Sequence, residues 1–224
     1  MKELSKILNK YHTDKNTSLI GSHYYSELYD NFFKRYKNRK VKILEIGVQR
    51  GEDLLGFDEY FKGNCEIYGI DIDLSPSIIN ENKKNIHLYE FDGTDSILLH
   101  HWYYCEDDNY WPNVNFEKFD IIIDDGSHAS KDILKTLSFF YNKLSDDGIY
   151  IIEDLHANYS EIDYTKSAIY FLTFFNDHED INLSNVKNHI KTCNIYQYMH
   201  DNHWNFSPTK DINNISTCAI LTFK

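Results

Sequence analysis

Two short acidic segments of this sequence have residue types that could hold a metal ion. They are Asp124-Asp125-Gly126-Ser127-His128 and Glu153-Asp154-Leu155-His156. Each begins where a short apolar run ends, and such runs are typical of buried strands in a parallel sheet. Because the carboxyl ends of parallel strands open at one edge, Asp125, Glu153 and Asp154 are expected to converge there. Three carboxylates with no cysteine nearby suit a hard cation such as Mg²⁺ or Mn²⁺.

The histidine three residues after Asp125 is the candidate general base. A divalent cation bound to a hydroxyl group lowers the pKa of that hydroxyl and fixes its position. An imidazole, whose ordinary pKa is about 6.5, can then accept the proton, and we assign this role to His128. The alternative is that the acidic residues cap helices, because Asp and Glu stabilise first turns. Two clusters that each close a strand favour the metal site.

A glycine-containing loop after the first apolar run indicates a site for a nucleoside. In Glu45-Ile46-Gly47-Val48-Gln49-Arg50-Gly51 the glycines let the backbone approach a ligand, and a helix beginning there offers free N–H groups. Dinucleotide sites have G-x-G-x-x-G, and here Gln49 replaces the middle glycine. Asp71 is placed to accept hydrogen bonds from ribose hydroxyls, and Asp92 from an adenine amino group. The candidate contacts are Glu45, Gly47, Gly51, Asp71, Ile72, Asp92 and Gly93.

The elements that must position these residues alternate between strand-like and helix-like patterns, which indicates an α/β fold. Strands are predicted at Val41–Gly47, Glu66–Asp71, Ile86–Phe91, Phe119–Asp124 and Ile149–Glu153, the last after a turn at 146–148. Two long strands, Val186–Tyr198 and Ile215–Phe223, are predicted to pair antiparallel at one edge. We expect a single domain over residues 1–224, with an N-terminal helical cap (1–40) and a mostly parallel sheet with helices on both faces (41–224).

Composition and charge limit the partners and the setting. The 224 residues carry 35 acidic and 23 basic side chains, a formal charge of -12, which repels nucleic acid. The apolar runs are strand-sized, so no membrane span is expected. Four dispersed cysteines and a charged N-terminal segment favour a reducing, cytoplasmic compartment. Cys105–Asn115 is an acidic, aromatic insert that we interpret as a surface excursion.

Two sets of motifs carry a resemblance to a known family. The order of the nucleoside-site residues resembles class I S-adenosylmethionine-dependent methyltransferases. The narrower resemblance is to the macrocin and mycinamicin sugar O-methyltransferases, and it is carried by Thr13-Asp14-Lys15, Ser22-His23-Tyr24-Tyr25, Ile123-Asp124-Asp125-Gly126-Ser127-His128 and Tyr150-Ile151-Ile152-Glu153-Asp154. The sequence differs from the family's pattern in its acidic insert, and we expect no counterpart of the extra N-terminal domain that some macrolide enzymes carry.

The resemblance implies a Rossmann-like seven-stranded sheet and metal-dependent methyl transfer to a hydroxyl of a deoxysugar or glycan. The implied cofactors are S-adenosyl-L-methionine and a divalent metal, Mg²⁺ or Mn²⁺. By motif position, the metal ligands would be Asp125, Glu153 and Asp154, the general base would be His128, and Asp124 would face the cofactor.

Several alternatives stay open at this stage. Asp71-Ile72-Asp73 is a D-x-D sequence of the kind found in metal-dependent glycosyltransferases, and a phenol or catechol would also suit a metal-dependent methyltransferase. The aromatic run 100–104 fits either sugar stacking or an amphipathic helix anchored by Trp102. The Thr13-Asp14-Lys15 loop could fold over the cofactor as a lid. A homo-oligomer is compatible with the sequence, as is a binding protein without turnover.

Overall fold

A seven-stranded sheet forms the centre of the described structure. The computed structural model describes residues 1–16, 22–80, 82–104, 118–176, 178, 181–199 and 215–224. The strands are β1 (Val41–Ile46), β2 (Cys65–Asp71), β3 (Ile86–Glu90), β4 (Phe119–Asp124), β5 (Leu144–Ile152), β6 (Ile190–Met199) and β7 (Ile215–Phe223). Their order across the sheet is β3-β2-β1-β4-β5-β7-β6, and β7 runs antiparallel to both β5 and β6. The predicted sheet, mostly parallel with a C-terminal antiparallel pair, is confirmed.

Helices cover both faces of the sheet. They are α1 (Glu3–Tyr11), α2 (Tyr25–Phe33), α3 (Glu52–Tyr60), α4 (Ser96–Tyr104), α5 (Ser130–Phe140), α6 (Ala168–Phe174) and α7 (Ser184–His189), with 3-10 helices at Lys34–Tyr36, Leu155–Ser160 and Tyr164–Lys166. Successive strand residues point to opposite faces. In β1, Val41 and Ile43 share a core with α1, α2 and α3, whereas Leu44 and Ile46 share one with α4, α5 and α6.

The centre of the sheet positions the candidate site. All six residues of β4 are buried, as expected for a strand with neighbours at both edges and helices on both faces. β4 pairs with β1 on one side and β5 on the other. The chain order reverses between β1 and β4, and in open α/β sheets ligands bind at the carboxyl ends of the strands beside such a reversal.

The two N-terminal helices pack against the sheet face that α3 also covers. Leu4, Leu8, Tyr29 and Phe33 have no exposed surface. Burying side chains of this size stabilises the fold by roughly 1.5–3 kcal/mol each. The division into a cap (1–40) and a core (41–224) stays a prediction.

Two strand boundaries differ from the sequence prediction by more than one residue. The predicted turn at 146–148 is a bulge within β5, because Leu144 pairs with Phe119 while Ile149 pairs with Ile121. The bulge is held by Tyr36, whose hydroxyl donates to the Asp147 carbonyl oxygen at 2.6 Å.

The second difference lies before β6. Residues 184–189 form α7, and the strand begins only at Ile190. The Asn182 side chain accepts a hydrogen bond from the Ser184 N–H at 3.1 Å and so favours a turn there, a local effect that an apolar pattern does not reveal.

The aromatic run 100–104 forms the last turn of α4. Trp102 is buried, and its ring contacts Tyr89, Phe91 and Phe140. The structure therefore favours the amphipathic helix over a sugar-stacking role for this tryptophan. The predicted insert (105–115) and the predicted β6–β7 loop (200–214) lie outside the described residues. Among the described residues, none of the helices is both long and apolar enough to cross a membrane.

Candidate active site

A cavity of about 920 Å³ opens where β1, β2 and β4 end. Ligand pockets in proteins commonly measure about 300–1,000 Å³, so this cavity is large enough for a nucleoside and part of a second substrate. Nine of its lining residues are Asp or Glu, and one, Arg50, is a lysine or arginine. Arg50 is itself paired with Glu52 at 3.0 Å. The cavity therefore favours cationic or neutral ligands over anionic ones.

The loop after β1 requires its first glycine. Gly47 has φ 87°, and a Cβ at this position would lie 2.1 Å from the backbone oxygen of Asp125. Only glycine allows the loops after β1 and β4 to approach this closely. Backbone hydrogen bonds of 2.8 Å join Asp125 N to Ile46 O and Gly47 N to Ile70 O. The loop is therefore clamped between β2 and β4.

Asp71 holds this same loop in place. Its Oδ2 accepts hydrogen bonds of 2.7 Å from the backbone N–H groups of Val48 and Gln49. The Asp92 Oδ1 accepts from both the N–H and the hydroxyl of Thr94, each at 2.8 Å. Both aspartates line the cavity, as do three further predicted contacts: Gly47, Ile72 and Gly93. The two remaining candidates, Gly51 and Glu45, are absent from the cavity wall.

Beside the loop after β1 lies a group of three side chains, Asp125, His128 and Asp154, which we call the outer group. One ligand atom from each lies within 4.8 Å of the other two, and all three side chains line the cavity. The His128 Nε2 is 3.7 Å from the Asp154 Oδ2. His128 and Asp154 have φ values of 58° and 52°, a left-handed conformation that costs energy in residues other than glycine and concentrates at functional sites.

Behind the outer group lies the buried ammonium of Lys15, which sequence reasoning did not place there. The inner group, as we call it, consists of Glu45, Asp53 and Glu153 around this lysine. The Lys15 Nζ lies 2.5 Å from Asp125, 2.9 Å from Asp53, 3.2 Å from Glu153 and 3.8 Å from Glu45. Lys15 has no exposed surface. The motif Thr13-Asp14-Lys15, for which the sequence suggests a lid, is the available signal for this lysine.

Backbone hydrogen bonds fix the segment that carries Lys15. The Lys15 carbonyl oxygen accepts from Ser26 N at 2.9 Å, and the Asp14 carbonyl oxygen accepts from His23 N at 2.7 Å. The Lys15 N–H donates to the Thr13 hydroxyl oxygen at 3.0 Å. The segment is thereby anchored to the start of α2, and Thr13 and Asp14 form part of the cavity wall.

Two tyrosines one turn apart on α2 hold the two carboxylates that follow β5. The Tyr25 hydroxyl donates to the Asp154 Oδ1 at 2.8 Å, and the Tyr29 hydroxyl donates to the Glu153 Oε1. Burial raises the pKa of both tyrosines, so both remain protonated hydrogen-bond donors. The four-residue spacing on one helix face matches the two successive acidic residues.

The predicted contact Asp124 does not reach the cavity. Its side chain is buried towards α5, where its Oδ2 accepts hydrogen bonds from the hydroxyls of Thr136 and, at 3.2 Å, Tyr150. Burial raises the pKa of Asp124 to about 6, against the opposing effect of these hydrogen bonds. Alternation along the strand end explains the difference, because Asp124 and Asp125 point to opposite sides.

Burial dominates the electrostatics of the site. It raises the pKa of Asp125 to about 8, although the Lys15 ammonium acts in the opposite direction. Burial also raises the pKa of Glu45 and of Glu153. For Lys15, burial alone would lower the pKa, but the surrounding carboxylates, Asp125 foremost, raise it well above its ordinary value. The site thus holds one charged lysine and an excess of carboxylates.

The outer group fits a divalent cation. Its two carboxylates, Asp125 and Asp154, are oxygen ligands of the kind that Mg²⁺ and Mn²⁺ prefer, and the His128 imidazole lies beside them. The excess of carboxylates near Lys15 also favours a further cation. The predicted third ligand, Glu153, is instead bound to Tyr29 and Lys15, so the structure brings His128 rather than Glu153 to the outer group.

His128 is also suited to accept a proton. Burial lowers its pKa, outweighing the nearby Asp154 carboxylate, so the imidazole is neutral at neutral pH. Its side chain lines the cavity on the side of the loop after β4. The arrangement combines a carboxylate pair for a cation with a neutral base beside it.

The amino-acid sequence is similar to those of known sugar O-methyltransferases. Mycinamicin VI 2''-O-methyltransferase of Micromonospora griseorubida is 30% identical over 163 residues, which are 70% of this chain. An 8-demethyl-8-alpha-L-rhamnosyl tetracenomycin-C 2'-O-methyltransferase of Streptomyces olivaceus is 30% identical over 147 residues, 62% of this chain. This chain is a homologue of sugar O-methyltransferases.

A solved structure of MycE methyltransferase from the mycinamycin biosynthetic pathway, in complex with Mg and SAH, supports the same fold. It superposes with a TM-score of 0.70 at 22% identity, over 99% of this chain and 55% of that one. The Rossmann-like methyltransferase fold predicted from the motifs is thereby confirmed. The residues of this chain that match these relatives cover 37% of the length of the Micromonospora protein and 35% of the length of the Streptomyces protein. No protein-family model matches the chain.

Proposed function

We propose that this homologue transfers a methyl group from S-adenosyl-L-methionine to a sugar hydroxyl, with the help of a divalent cation. The observation that carries the proposal is a single cavity that joins the glycine loop after β1 to the outer group Asp125, His128 and Asp154. A donor bound at the loop and a hydroxyl bound at the outer group would share this space. Proximity of this kind is what a displacement reaction needs.

The charge of the cavity supports a sulfonium donor. S-Adenosylmethionine carries a positively charged sulfur, and the acidic wall attracts it. Asp71 and Asp92 are the proposed partners of the ribose hydroxyls and the adenine amino group, with Gly47, Ile72 and Gly93 beside them. The MycE relative was solved with Mg and SAH, which supports the same pair of ligands for this chain.

The chemistry is a displacement at the methyl carbon. The acceptor oxygen forms a bond to the methyl carbon, the bond from that carbon to sulfur breaks, and the hydroxyl proton passes to the His128 imidazole. A divalent cation, when bound at this site, would lower the pKa of the acceptor hydroxyl. We propose Asp125 and Asp154 as its ligands. Glu153 remains a candidate ligand, although its carboxylate here binds Tyr29 and Lys15.

The glycosyltransferase alternative finds less support. The carboxylates of the D-x-D sequence stabilise local backbone: Asp71 binds the loop after β1, and the Asp73 Oδ1 accepts from Ser75 N at 2.9 Å. A nucleoside diphosphate sugar carries several negative charges, which the acidic wall would repel.

Calorimetry distinguishes the two enzyme classes. We expect the chain to bind S-adenosylhomocysteine and not a uridine diphosphate sugar; the opposite result would overturn the proposal. A mass-spectrometric screen with rhamnosides, fucosides and a catechol then identifies the acceptor. Methylation of a sugar that disappears with a chelator and returns with Mg²⁺ is the expected outcome. Methylation of the catechol alone, or full activity after exhaustive chelation, would contradict it.

The setting belongs to the proposal as well. A sugar or glycan as acceptor is supported by the relatives' names, one of which contains a rhamnosyl group. A cytoplasmic location is supported by the cysteines of the described part of the chain, Cys65, Cys193 and Cys218, whose thiols are free of disulfide bonds. Homo-oligomer formation stays a prediction.

A further inference from the structure

The carboxylates around Asp125 form two groups with the spacing of metal ligands. One is the outer group. The other, which we call the second group, consists of Glu45, Asp53 and Asp125, whose ligand atoms also lie within 4.8 Å of one another. It differs from the inner group in containing Asp125 instead of Glu153. Asp125 belongs to both groups. Enzymes with two metal ions hold them about 3.5–4 Å apart and commonly share a carboxylate between them. The donor pattern therefore resembles that of a two-ion site.

We propose that the Lys15 ammonium takes the place of the second metal ion in this pattern, so that the site binds one divalent cation instead of two. The inference deepens the metal-dependent function proposed above and rests on it. Lys15 is a positioning residue here: it acts on substrate and cofactor only through the carboxylates it holds.

The contacts of Lys15 support this role. Its Nζ lies 2.5 Å from the Asp125 Oδ2 and 2.9 Å from the Asp53 Oδ2, inside the second group. A charge this deeply buried is costly unless opposite charges surround it. The opposite charges come from four parts of the fold: Glu45 lies in β1, Asp53 in α3, Asp125 directly after β4 and Glu153 directly after β5. A single lysine thus neutralises acidic side chains that the fold brings together.

Glu45 provides a second, independent observation. Its side chain is 1% exposed, and neither of its carboxylate oxygens has a hydrogen-bond partner. The Asp53 Oδ1 is likewise buried without a hydrogen-bond partner. A buried carboxylate usually accepts several hydrogen bonds. These oxygens therefore depend on the charge of Lys15, which lies 3.8 Å from Glu45, and they would be free to bind an ion if that charge were removed.

The decisive experiment counts bound ions in the native chain and in the Lys15→Met variant, whose unbranched side chain is one atom shorter than that of lysine and carries no charge. Equilibrium dialysis against Mn²⁺ gives the stoichiometry, and electron paramagnetic resonance detects spin coupling between neighbouring ions. We expect one ion in the native chain and two coupled ions in the variant. Thermal unfolding in a chelator should occur roughly 10 °C lower for the variant, and Mn²⁺ should restore most of this loss.

Lys10→Met is the matched control. Lys10 pairs with Glu59 at 2.5 Å on the surface, and its side chain is 61% exposed. Removing its charge should leave both the ion count and the effect of Mn²⁺ on unfolding as in the native chain. A purely structural role for Lys15 would lower the unfolding temperature equally with and without Mn²⁺, and that result would overturn the inference.

Each remaining outcome is informative. One ion in both chains overturns the inference and leaves the metal-dependent function intact. No ion in the native chain overturns the metal-dependent function and, with it, the inference that rests on that function. If Lys15→Met does not fold in the chelator, Mn²⁺ or the second change Asp53→Asn should restore folding, because each removes the charge imbalance. A chain that stays unfolded in both cases contradicts the inference.

Discussion

The outer and inner groups are built from the same residue types, yet their surroundings differ. In the outer group, Asp125, His128 and Asp154 line the cavity, and the side chains of the two aspartates are 18% and 15% exposed. In the inner group, the side chains of Glu45 and Glu153 are at most 2% exposed and lie against Lys15, whereas Asp53 is 16% exposed and reaches the cavity wall. The two groups contain the same kind of acidic side chain. What distinguishes a carboxylate that can bind a ligand from one that stabilises the fold is its exposure to the cavity and whether Lys15 already neutralises it.

The tyrosines of α2 extend this contrast. Tyr25 binds the outer carboxylate Asp154, and Tyr29 binds the inner carboxylate Glu153. Because the two hydroxyls are chemically alike and lie on one helix face, they form a natural pair for testing which group serves catalysis and which serves stability.

The largest effect is expected at the outer group. His128→Ala removes the proposed general base, and general-base catalysis typically contributes about 10²–10⁴-fold to a rate. We expect turnover to fall by that factor while calorimetry shows unchanged binding of S-adenosylhomocysteine.

His156→Ala is the control for this prediction. The His156 Nδ1 lies 3.8 Å from the same carboxylate, Asp154, but the residue does not line the cavity. Its loss should leave most of the turnover. Comparable losses in both variants would mean that the histidines act through Asp154 and that neither is the base.

A smaller effect separates the two groups through the tyrosines. Tyr29→Phe leaves a buried oxygen of Glu153 without its donor, which should lower the free energy of unfolding by about 1–3 kcal/mol. Tyr25→Phe affects the more accessible Asp154 and should lower turnover about tenfold with less loss of stability. Chemical denaturation and methyl-transfer assays on both variants measure the two effects. Equal changes in both quantities would remove the distinction between the groups.

The smallest effect concerns pH. Burial lowers the pKa of His128, and a base acts only when it is unprotonated. The acidic limb of kcat/KM should therefore have its midpoint below the ordinary histidine value of about 6.5. A bound dication would shift the midpoint in the same direction, so the profile is best measured at saturating Mg²⁺. A midpoint above the ordinary value would argue against His128 as the base.

The fold was predictable from the sequence because its pattern is local. The apolar run of β4 indicates a strand buried on both faces, the glycine that follows β1 indicates a tight loop, and the alternation of strand-like and helix-like segments indicates the α/β class. The bulge in β5 was missed because it depends on Tyr36, a residue far away in sequence. A single sequence does not show which distant residues, such as Tyr36 and Asp147, contact each other in the fold.

The candidate site was predictable only in part, for the same reason. Strand ends predicted that Asp125 and Asp154 would meet, since both follow neighbouring parallel strands. The sequence could not reveal that Lys15, 110 residues before Asp125, reaches the same point. Asp53 was missed as well, because an acid in the first turn of α3 is fully explained as a helix-stabilising charge.

Asp124, the last residue of β4, and Asp125, which follows it, point to opposite faces of the sheet and have different roles. Asp124 serves the helical layer behind the sheet and Asp125 serves the cavity, although they are adjacent in the chain. β4 forms backbone hydrogen bonds with β1 along one edge and with β5 along the other, and these two strands fix its register. Deleting a single residue from β4 would thus exchange the two aspartates, exposing one that is equipped for packing and burying the one that faces solvent. The strand therefore tolerates a change in its length only in steps of two residues, because a shift by one residue turns every side chain to the other face.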